Sequence, residues 1–363
     1  MAAGEGVPMS TIAITGVSGY IAQRLVQRLE ADSDIERIVG IDVAEPKFRF
    51  QKLDFYRLDI RDPHIAQVFS GTDAVVHLAF VLNPMQDEQL MRDINVEGTR
   101  NVLNAVEKSG SRKLVYTSSM VAYGARPDND YPLTEESPLR ANTDFSYAEH
   151  KLEVELLLQK WKADHPDVTV TIFRFAIVFG RHVQNFISRT LESPRIFAVR
   201  GYRPPLQFLH EEDAAESLYF ALTHDLDGAY NVCPDDEISF EEILEIAGKK
   251  TIELPQSVMF SLAKLGWNAG LLEAPPGEIN YLMYPAIMSN RKIVEAGFQF
   301  KHSSRDALAD ALDANRGWVT IGRWRMPENV YRSRVNAVKS VGLAIAGGYL
   351  LRRLAKRRAS KRL

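Results

Sequence analysis

The stretch "SYAEHK" sets Tyr147 and Lys151 four residues apart, so on a helix the phenol and the ammonium share one face. Of the 13 tyrosines in the chain, this is the only one followed by Lys at that spacing. A phenol titrates near ~10, and a close ammonium together with a cationic ring on a bound cofactor favours the phenolate. Such a phenol can exchange a proton with a substrate hydroxyl while hydride leaves or arrives at the same carbon. A third group should hold the substrate oxygen, and "VYTSSMVAYG" offers it: Ser119 first, with Ser118 and Thr117 beside it.

Hydride chemistry needs a carrier, and "TGVSGYIAQRLVQRLE" reads as its cradle. Gly16, Gly19 and Ala22 form a GxxGxxA pattern directly after the apolar run "TIAIT" and inside the first turn of a helical pattern. Gly16 suits a tight turn, Gly19 lets a pyrophosphate approach the backbone, and Ala22 keeps helix and sheet close. The next strand-like run, "RIVGIDV", ends at Asp42, where a carboxylate can accept both ribose hydroxyls of an adenosine. A carboxylate there repels a 2′-phosphate, so NAD is expected rather than NADP, although Lys47 and Arg49 stand close by in sequence.

These residues need a scaffold, and the chain supplies one by alternation. Candidate strands are Thr11–Thr15, Arg37–Asp42, Phe55–Leu58, Ala74–Leu78, Lys113–Ser118 and Thr169–Phe175; helical stretches between them include Tyr20–Glu30, Met91–Ser109 and Tyr147–Ala163. Several strands are apolar on both faces, as in a sheet covered on both sides. The expected fold is α/β: a doubly wound parallel sheet of Rossmann type, built on right-handed crossovers. After Gly180 the pattern turns irregular. "FLHEEDAAESLYFAL" reads as a helix, "GAYNVC" as one more strand, and "SFEEILEIAG" carries helix start and stop signals. We read residues 1–10 as a flexible N-terminus and 11–180 as the NAD-binding domain, with 207–233 returning to it. Residues 181–325 form a smaller, partly helical substrate lobe, and 326–363 a basic and apolar tail.

Composition narrows the function classes. Hydrophobic residues make up 45% and charged residues 25% of the 363, ordinary for a soluble globular protein. A net charge of −3 argues against a nucleic-acid binder. The single cysteine, Cys233, excludes an internal disulfide, and eight scattered histidines show no ligand spacing, so no metal is expected. The start "MAAGEGVPMS" lacks a basic end and an apolar stretch, which points to a cytoplasmic protein. From Tyr331 onward there are ten Lys or Arg and no acid, joined to the apolar run Ser340–Leu351, which is shorter than the ~20 residues needed to span a bilayer. Residues 335–363 therefore read as a frayed or disordered tail or as a segment lying on an anionic membrane surface.

Together these residues resemble the extended short-chain dehydrogenases/reductases, also called the NAD-dependent epimerase/dehydratase family, from about residue 11 to 315. "TGVSGYIA" is similar to the family's TGxxGxxG/A turn, which implies Gly16, Ser18, Gly19, Tyr20 and Ile21 at the cofactor. "LDIRD" resembles the acidic segment, so Asp59 and Ile60 would contact adenine. "HLA", with Leu78 and Ala79, resembles the stretch passing the cofactor's phosphate and nicotinamide ribose. "NVEGT" matches the active-site helix and makes Asn95 the structural Asn. "SSMVAYG" and "YAEHK" assign Ser119, Tyr147 and Lys151, with Lys151 also on the nicotinamide ribose. "FRFAIVFG" and "FLHEEDAA" resemble the post-catalytic strand and the FVHVDDVA-like segment. The family also implies a homodimer through the helices at 91–109 and 147–163.

The resemblance thins where a nucleotide sugar would bind. Leu206 stands where such members carry an Arg for the diphosphate, and Ala176 follows Arg174–Phe175 where many have Asn. "PPGEINYLMYP" offers no later Arg, leaving Arg203 or Arg181 as substitutes. "AFVLNPM", "SVMFSLAKLGW" and "INYLMYPAIM" are apolar. The small-molecule substrate expected is a less polar alcohol or ketone, lipid- or sterol-like. The alternative is a nucleotide-sugar epimerase or dehydratase that retains NAD. A catalytically silent Rossmann sensor would need the glycine turn but not Ser119, Tyr147 and Lys151 in register.

Overall fold

The computed structural model describes residues 10–183, 186–322 and 324–336. The expected loose N-terminus, apart from Ser10, and the membrane-surface reading of the tail, apart from residues 335 and 336, lie outside the described residues.

In chain order the first half runs β1 (Thr11–Thr15), α1 (Tyr20–Glu30), β2 (Arg37–Asp42), β3 (Leu53–Arg57), α2 (Ile65–Val68), β4 (Ala74–His77), α3 (Glu88–Arg92), a π-helical turn (Asp93–Glu97), α4 (Gly98–Ser109), β5 (Lys113–Ser119), α5 (Ser146–Asp164) and β6 (Thr169–Phe175). Then come β7 (Ile177–Phe179), α6 (Phe186–Glu192), β8 (Arg195–Val199), β9 (Phe208–His210), α7 (Glu211–Thr223) and β10 (Gly228–Val232). The remainder holds α8 (Phe240–Ala247), β11 (Lys250–Leu254), α9 (Gln256–Asn268), a 3₁₀ turn (Pro276–Leu282), α10 (Arg291–Glu295), α11 (Ser304–Ala314), and the hairpin strands β12 (Trp318–Ile321) and β13 (Trp324–Pro327).

Seven strands form one sheet in the order β10-β6-β5-β4-β1-β2-β3, and each neighbouring pair is parallel. The alternation of β1 shows why both faces must be covered. Ile12 and Ile14 enter a core with Leu25, Val26 and Leu218 of α1 and α7, whereas Ala13 enters the opposite core with Val102 and Leu158 of α4 and α5. Lys113, fully buried at the start of β5, ties the sheet to the end of α7. Its Nζ donates to the carbonyls of Ala221 (3.0 Å), Leu222 (3.2 Å) and His224 (2.7 Å) and faces Asp225 at 3.1 Å, a cation on the negative end of a helix.

Three expectations on element boundaries are corrected. The third strand starts at Leu53, pairing Ile38↔Leu53 through Asp42↔Arg57; as a half-exposed edge strand it lacks the apolar signal that marks a start. The single helix expected over 91–109 is broken. Asp87 caps α3 by accepting from Leu90 N, and the π turn then swings Asn95 inward, while Gly98 lets α4 sit on Ile60, whose Cδ1 would lie 2.6 Å from any Cβ there. "FLH" is strand β9, paired with β7, and the helix begins only at Glu211.

The lobe after Gly180 interleaves with the main domain. α7 packs on α1, and β10 forms the sheet's edge beside β6. Later, Ala286, Met288, Ile293 and Phe298 come back to the same core. Between these returns lie the parallel pair β8–β11 and the cluster of Val199, Met259, Ile279 and Met283.

Candidate active site

The first βα turn is built for close approach. Gly16 has φ +70°, donates its N–H to Ile41 O at 2.8 Å, and a Cβ on it would come within 2.7 Å of Ala79 N. Gly19 follows at the N-terminus of α1, which has no side-chain cap and no acid in its first turn. The helix therefore presents backbone amides and its positive dipole end to an anion. Asp42, at the end of β2, accepts from Ser18 N and from Ala44 N, each at 3.0 Å, so its carboxylate is locked against the glycine turn. Ser18 itself donates Oγ–H to Ala44 O at 2.5 Å.

Ser119, Tyr147 and Lys151 meet at the carboxyl edge of the sheet. Ser119 closes β5 and accepts from Val121 N at 3.4 Å. Tyr147 stands in the first turn of α5 with Lys151 one turn on, both buried. Burial pushes the Tyr147 phenol up to about 12, with the Ser119 hydroxyl pulling the other way. Burial also brings the Lys151 ammonium down to about 7, opposed by Glu155 one turn further on. The two share a face as their spacing requires, yet Lys151 does not sit on the phenol. Its Nζ donates to Thr117 O at 2.6 Å and to Tyr116 OH at 3.2 Å, and lies 3.6 Å from the Phe80 ring centre against 5.8 Å from that of Tyr147.

Two buried networks hold this edge. In the first, Thr15 Oγ1 accepts from the amides of Leu78 and Ala79 and bonds His77 Nδ1 at 2.7 Å, while His77 Nε2 meets Thr99 Oγ1, which donates to Asn95 O at 2.6 Å. Burial, with the Lys151 charge adding to it, pushes His77 down to about 3, so the ring is neutral: Nδ1 accepts from Thr15 and Nε2–H donates to Thr99. Asn95 accepts from Val81 N at 2.7 Å, donates to Val81 O, and reaches His150 Nδ1 at 3.4 Å, joining the loop after β4 to the helix that carries Tyr147 and Lys151. In the second network, Arg174 Nη2 meets Glu155 Oε2 at 2.7 Å, Ser118 donates to Glu155 Oε1, and Arg174 Nη1 donates to Tyr123 OH, which donates to Asn231 Oδ1. Sequence reading missed Thr15 and Glu155 as parts of the site, and of His77 it gave the stretch "HLA" but not the bonds to Thr15 and Thr99. The available signal was a His at the end of an apolar strand and a Glu one turn beyond Lys151.

These elements enclose a cavity of about 320 Å³. Ser119, Tyr147 and Lys151 line it together with Gly16, Gly19, Tyr20 and Ile21, and Leu78, Phe80, Leu82, Phe145, Leu206 and Tyr281 supply much of its apolar wall. Among the described residues, the charged groups on its wall are Lys151 and Glu278. Glu278 lies in the turn Pro276–Leu282, is partly buried, and burial pushes its carboxyl up to about 8. The two arginines considered as diphosphate ligands are occupied elsewhere. Arg203 pairs with Glu253 and Glu241, and Arg181 with Asp310 and Asp313.

The sequence model of the NAD dependent epimerase/dehydratase family matches residues 12–233, well over half the chain. The chain belongs to that family. Its relatives extend the match beyond the Rossmann half. An uncharacterised protein of Mycobacterium tuberculosis is 27% identical over 309 residues, covering 82% of each chain. The N-acetyl-alpha-D-glucosaminyl-diphospho-ditrans,octacis-undecaprenol 4-epimerase of Escherichia coli O157:H7 is 31% identical over 175 residues, covering 47% of this chain and 49% of that one. The solved UDP-glucose 4-epimerase of Thermus thermophilus, in complex with NAD, shares the fold at a TM-score of 0.66 and 22% identity over 85% of this chain and 99% of its own.

NAD is the cofactor that goes with this family, and the residues present fit it. Gly16, with no Cβ, lets the turn close on the Leu78–Ala79 backbone, the α1 amides carry no side-chain cap, and Asp42 faces the glycine turn. Of the residues expected at the cofactor, Gly16, Gly19, Tyr20, Ile21, Leu78, Tyr147 and Lys151 border the cavity. Ser18 and Asp42 are bonded to each other within the turn without bordering the cavity, and Ala79 backs Gly16. Asp59 and Ile60 do not border the cavity. The Asp59 carboxylate binds Arg61, which holds it below the usual carboxylate range, while the Ile60 side chain packs under Gly98 and its carbonyl accepts from Asn101.

Proposed function

We propose that this chain is an NAD-dependent oxidoreductase acting at a C–OH/C=O carbon of an alcohol or ketone less polar than a nucleotide sugar, lipid- or sterol-like in character. The observation that carries the reading is the cavity wall: largely apolar, with Glu278 beside it and no described arginine turned to it. A diphosphate there would lose its hydration with Lys151 as the one described cation on the wall and a carboxyl as neighbour.

In this reading Gly16, Ser18, Gly19, Tyr20 and Ile21 hold the pyrophosphate through backbone amides, Asp42 the adenosine ribose, Asp59 and Ile60 the adenine end, and Leu78 and Ala79 the nicotinamide half. Bound NAD supplies the acceptor or donor of hydride for the substrate carbon. Ser119 holds the substrate oxygen, and Tyr147 takes or returns the proton at that same oxygen. A phenol held near 12 needs added positive charge to ionise at neutral pH, and Lys151 in its protonated form supplies part of it. Asn95, through Val81 and His150, positions the helix that carries both. A homodimer through α4 and α5 belongs to the same proposal, and Leu156, exposed on α5, suits such a contact.

The relatives favour a second reading, an epimerase or dehydratase that takes a hydride from a sugar and returns it, with NAD retained. The test is to denature freshly purified, dialysed protein and identify the nucleotide released. A site that binds added NAD(H) reversibly, with NAD⁺ reduction by apolar alcohols, supports the first reading. Near-stoichiometric retained NAD, with tight binding of a UDP- or dTDP-sugar, overturns it in favour of the second.

A further inference from the structure

The turn between α9 and α10 sets one carboxyl on a largely apolar wall. In the 3₁₀ turn Pro276–Leu282 residues three apart share a side, and Glu278 and Tyr281 both border the cavity. Ile279 points the other way and packs with Val199, Met259 and Met283. The backbone that carries Glu278 is held on both flanks. A Cβ on Gly277 would lie 2.3 Å from Asp144 O, Asn280 Nδ2 donates to Gly277 O at 2.9 Å, and Tyr281 OH donates to Val121 O at 3.2 Å.

Tyr281 therefore has its proton donor engaged, and Lys151 gives its protons to Thr117 O and Tyr116 OH. The Glu278 carboxyl makes no hydrogen bond and no ion pair with any described residue. Polar groups withdrawn from water are ordinarily hydrogen-bonded, because leaving one without a partner is costly. An apolar wall alone would be served by Leu or Met at this position. With its pKa raised by burial to about 8, the group keeps its proton at neutral pH and can donate as well as accept. Its place relative to the chemistry is set by Phe145, whose ring centre lies 5.7 Å from that of Tyr147 and 6.0 Å from that of Tyr281. Charge narrows the ligand group. An amine would add a cation to a cavity that holds Lys151 and, with NAD⁺ bound, a positively charged ring, whereas an anion would meet the carboxyl.

We infer that Glu278 is a specificity-determining residue that hydrogen-bonds a second, neutral oxygen of the substrate, a carbonyl or hydroxyl separated from the reacting carbon by an apolar skeleton lying along Phe145. The inference rests on the proposed reading of this cavity as the site of an apolar alcohol or ketone, and adds that this substrate is oxygenated at two places.

The test measures binding rather than turnover. The full chain, saturated with NAD⁺ at neutral pH, is titrated calorimetrically with saturated ketones of one, two and three fused rings. Each is used as the monoketone and as the diketone with its second carbonyl at the opposite end of the skeleton. A ketone cannot give hydride to NAD⁺, so every complex is a dead end. For at least one ring count the diketone should bind about tenfold more tightly than the monoketone. Glu278→Leu should erase that preference, and Glu278→Gln, which still donates, should keep most of it. Both variants should keep wild-type NAD⁺ affinity, which reports an intact fold. The inference is overturned if the wild type binds monoketone and diketone alike at every length, if it binds neither, or if the Leu variant retains the preference. The reaction is judged separately, by NADH oxidation with the same ketones. A preference that depends on Glu278 without NADH oxidation supports the subsite and counts against the proposed reaction; NADH oxidation without such a preference overturns the subsite alone.

Discussion

Replacing Glu278 by Gln removes a titrating group from the cavity wall and keeps its shape, which makes the cost of that group measurable. Burial raises the folded-state pKa of Glu278 from an ordinary 4.5 to about 8. The folded protein therefore holds this proton more tightly than the unfolded chain does. Its stabilising share is complete below about 4.5, falls as pH rises, and is lost once pH passes about 8. Between about pH 6 and about pH 9 the linkage amounts to roughly 2–3 kcal/mol, at ~1.4 kcal/mol per pKa unit. Lys151 runs the other way. Its pKa drops from 10.5 to about 7 on folding, so stability from this group rises over that window and offsets the loss in the wild type. The informative quantity is thus the gap between Glu278→Gln and wild type, from which Lys151 cancels. Urea unfolding of both proteins at the two pH values should show the variant gaining on the wild type by about 2 kcal/mol from the lower to the higher pH. A gap constant within about 0.5 kcal/mol would refute the claim that Glu278 is held neutral on the cavity wall.

Other substitutions test the rest of the site. Tyr147→Phe should lower turnover by about 10²–10⁴-fold while NAD affinity, by fluorescence titration, stays within a few-fold. Gly16→Ala should abolish NAD binding, because φ +70° and a contact of 2.7 Å to Ala79 N leave no room for a methyl; retained affinity would contradict the cradle. Asp42→Ala should raise the NAD dissociation constant at least about tenfold, since the proposed ribose acceptor and the lock on Ser18 N and Ala44 N go together. Glu155→Gln should cost about 3–5 kcal/mol in denaturant titration by leaving Arg174 buried without its carboxylate.

What sequence reading could reach follows the range of the interactions. β1, β2 and β6 come out at their residue boundaries because two-sided apolar runs of strand length announce themselves locally, and the spacing of Gly16, Gly19 and Ala22 marks its own turn. The helix of Tyr147 and Lys151 is likewise found within one residue. What depends on partners far along the chain stays hidden. The π turn at Asn95 exists because that side chain must reach Val81 on another loop, and the neutral His77 is defined by Thr15, 62 residues earlier, and Thr99, 22 later. Lys151 illustrates the limit of spacing: its helical face was legible, its turn toward Thr117 and Tyr116 was not. In "PPGEINYL" no periodicity points to a cavity. The structural reason is Gly277, on which a Cβ would come within 2.3 Å of Asp144 O, so that the turn is pressed against the residues leading into α5.

The return of β10 and of Met288, Ile293 and Phe298 to the main core has a consequence for how such proteins can be altered. The part of the chain after Gly180 is not an appendage that follows a finished Rossmann domain. It leaves that domain three times, at roughly 181–207, 233–285 and 301–327, and comes back to it after each of the first two. Transplanting specificity from a relative therefore means exchanging several separate segments rather than one. A chimera joined once near residue 180 would strip the recipient of its own outermost strand and of the helix that shields α1.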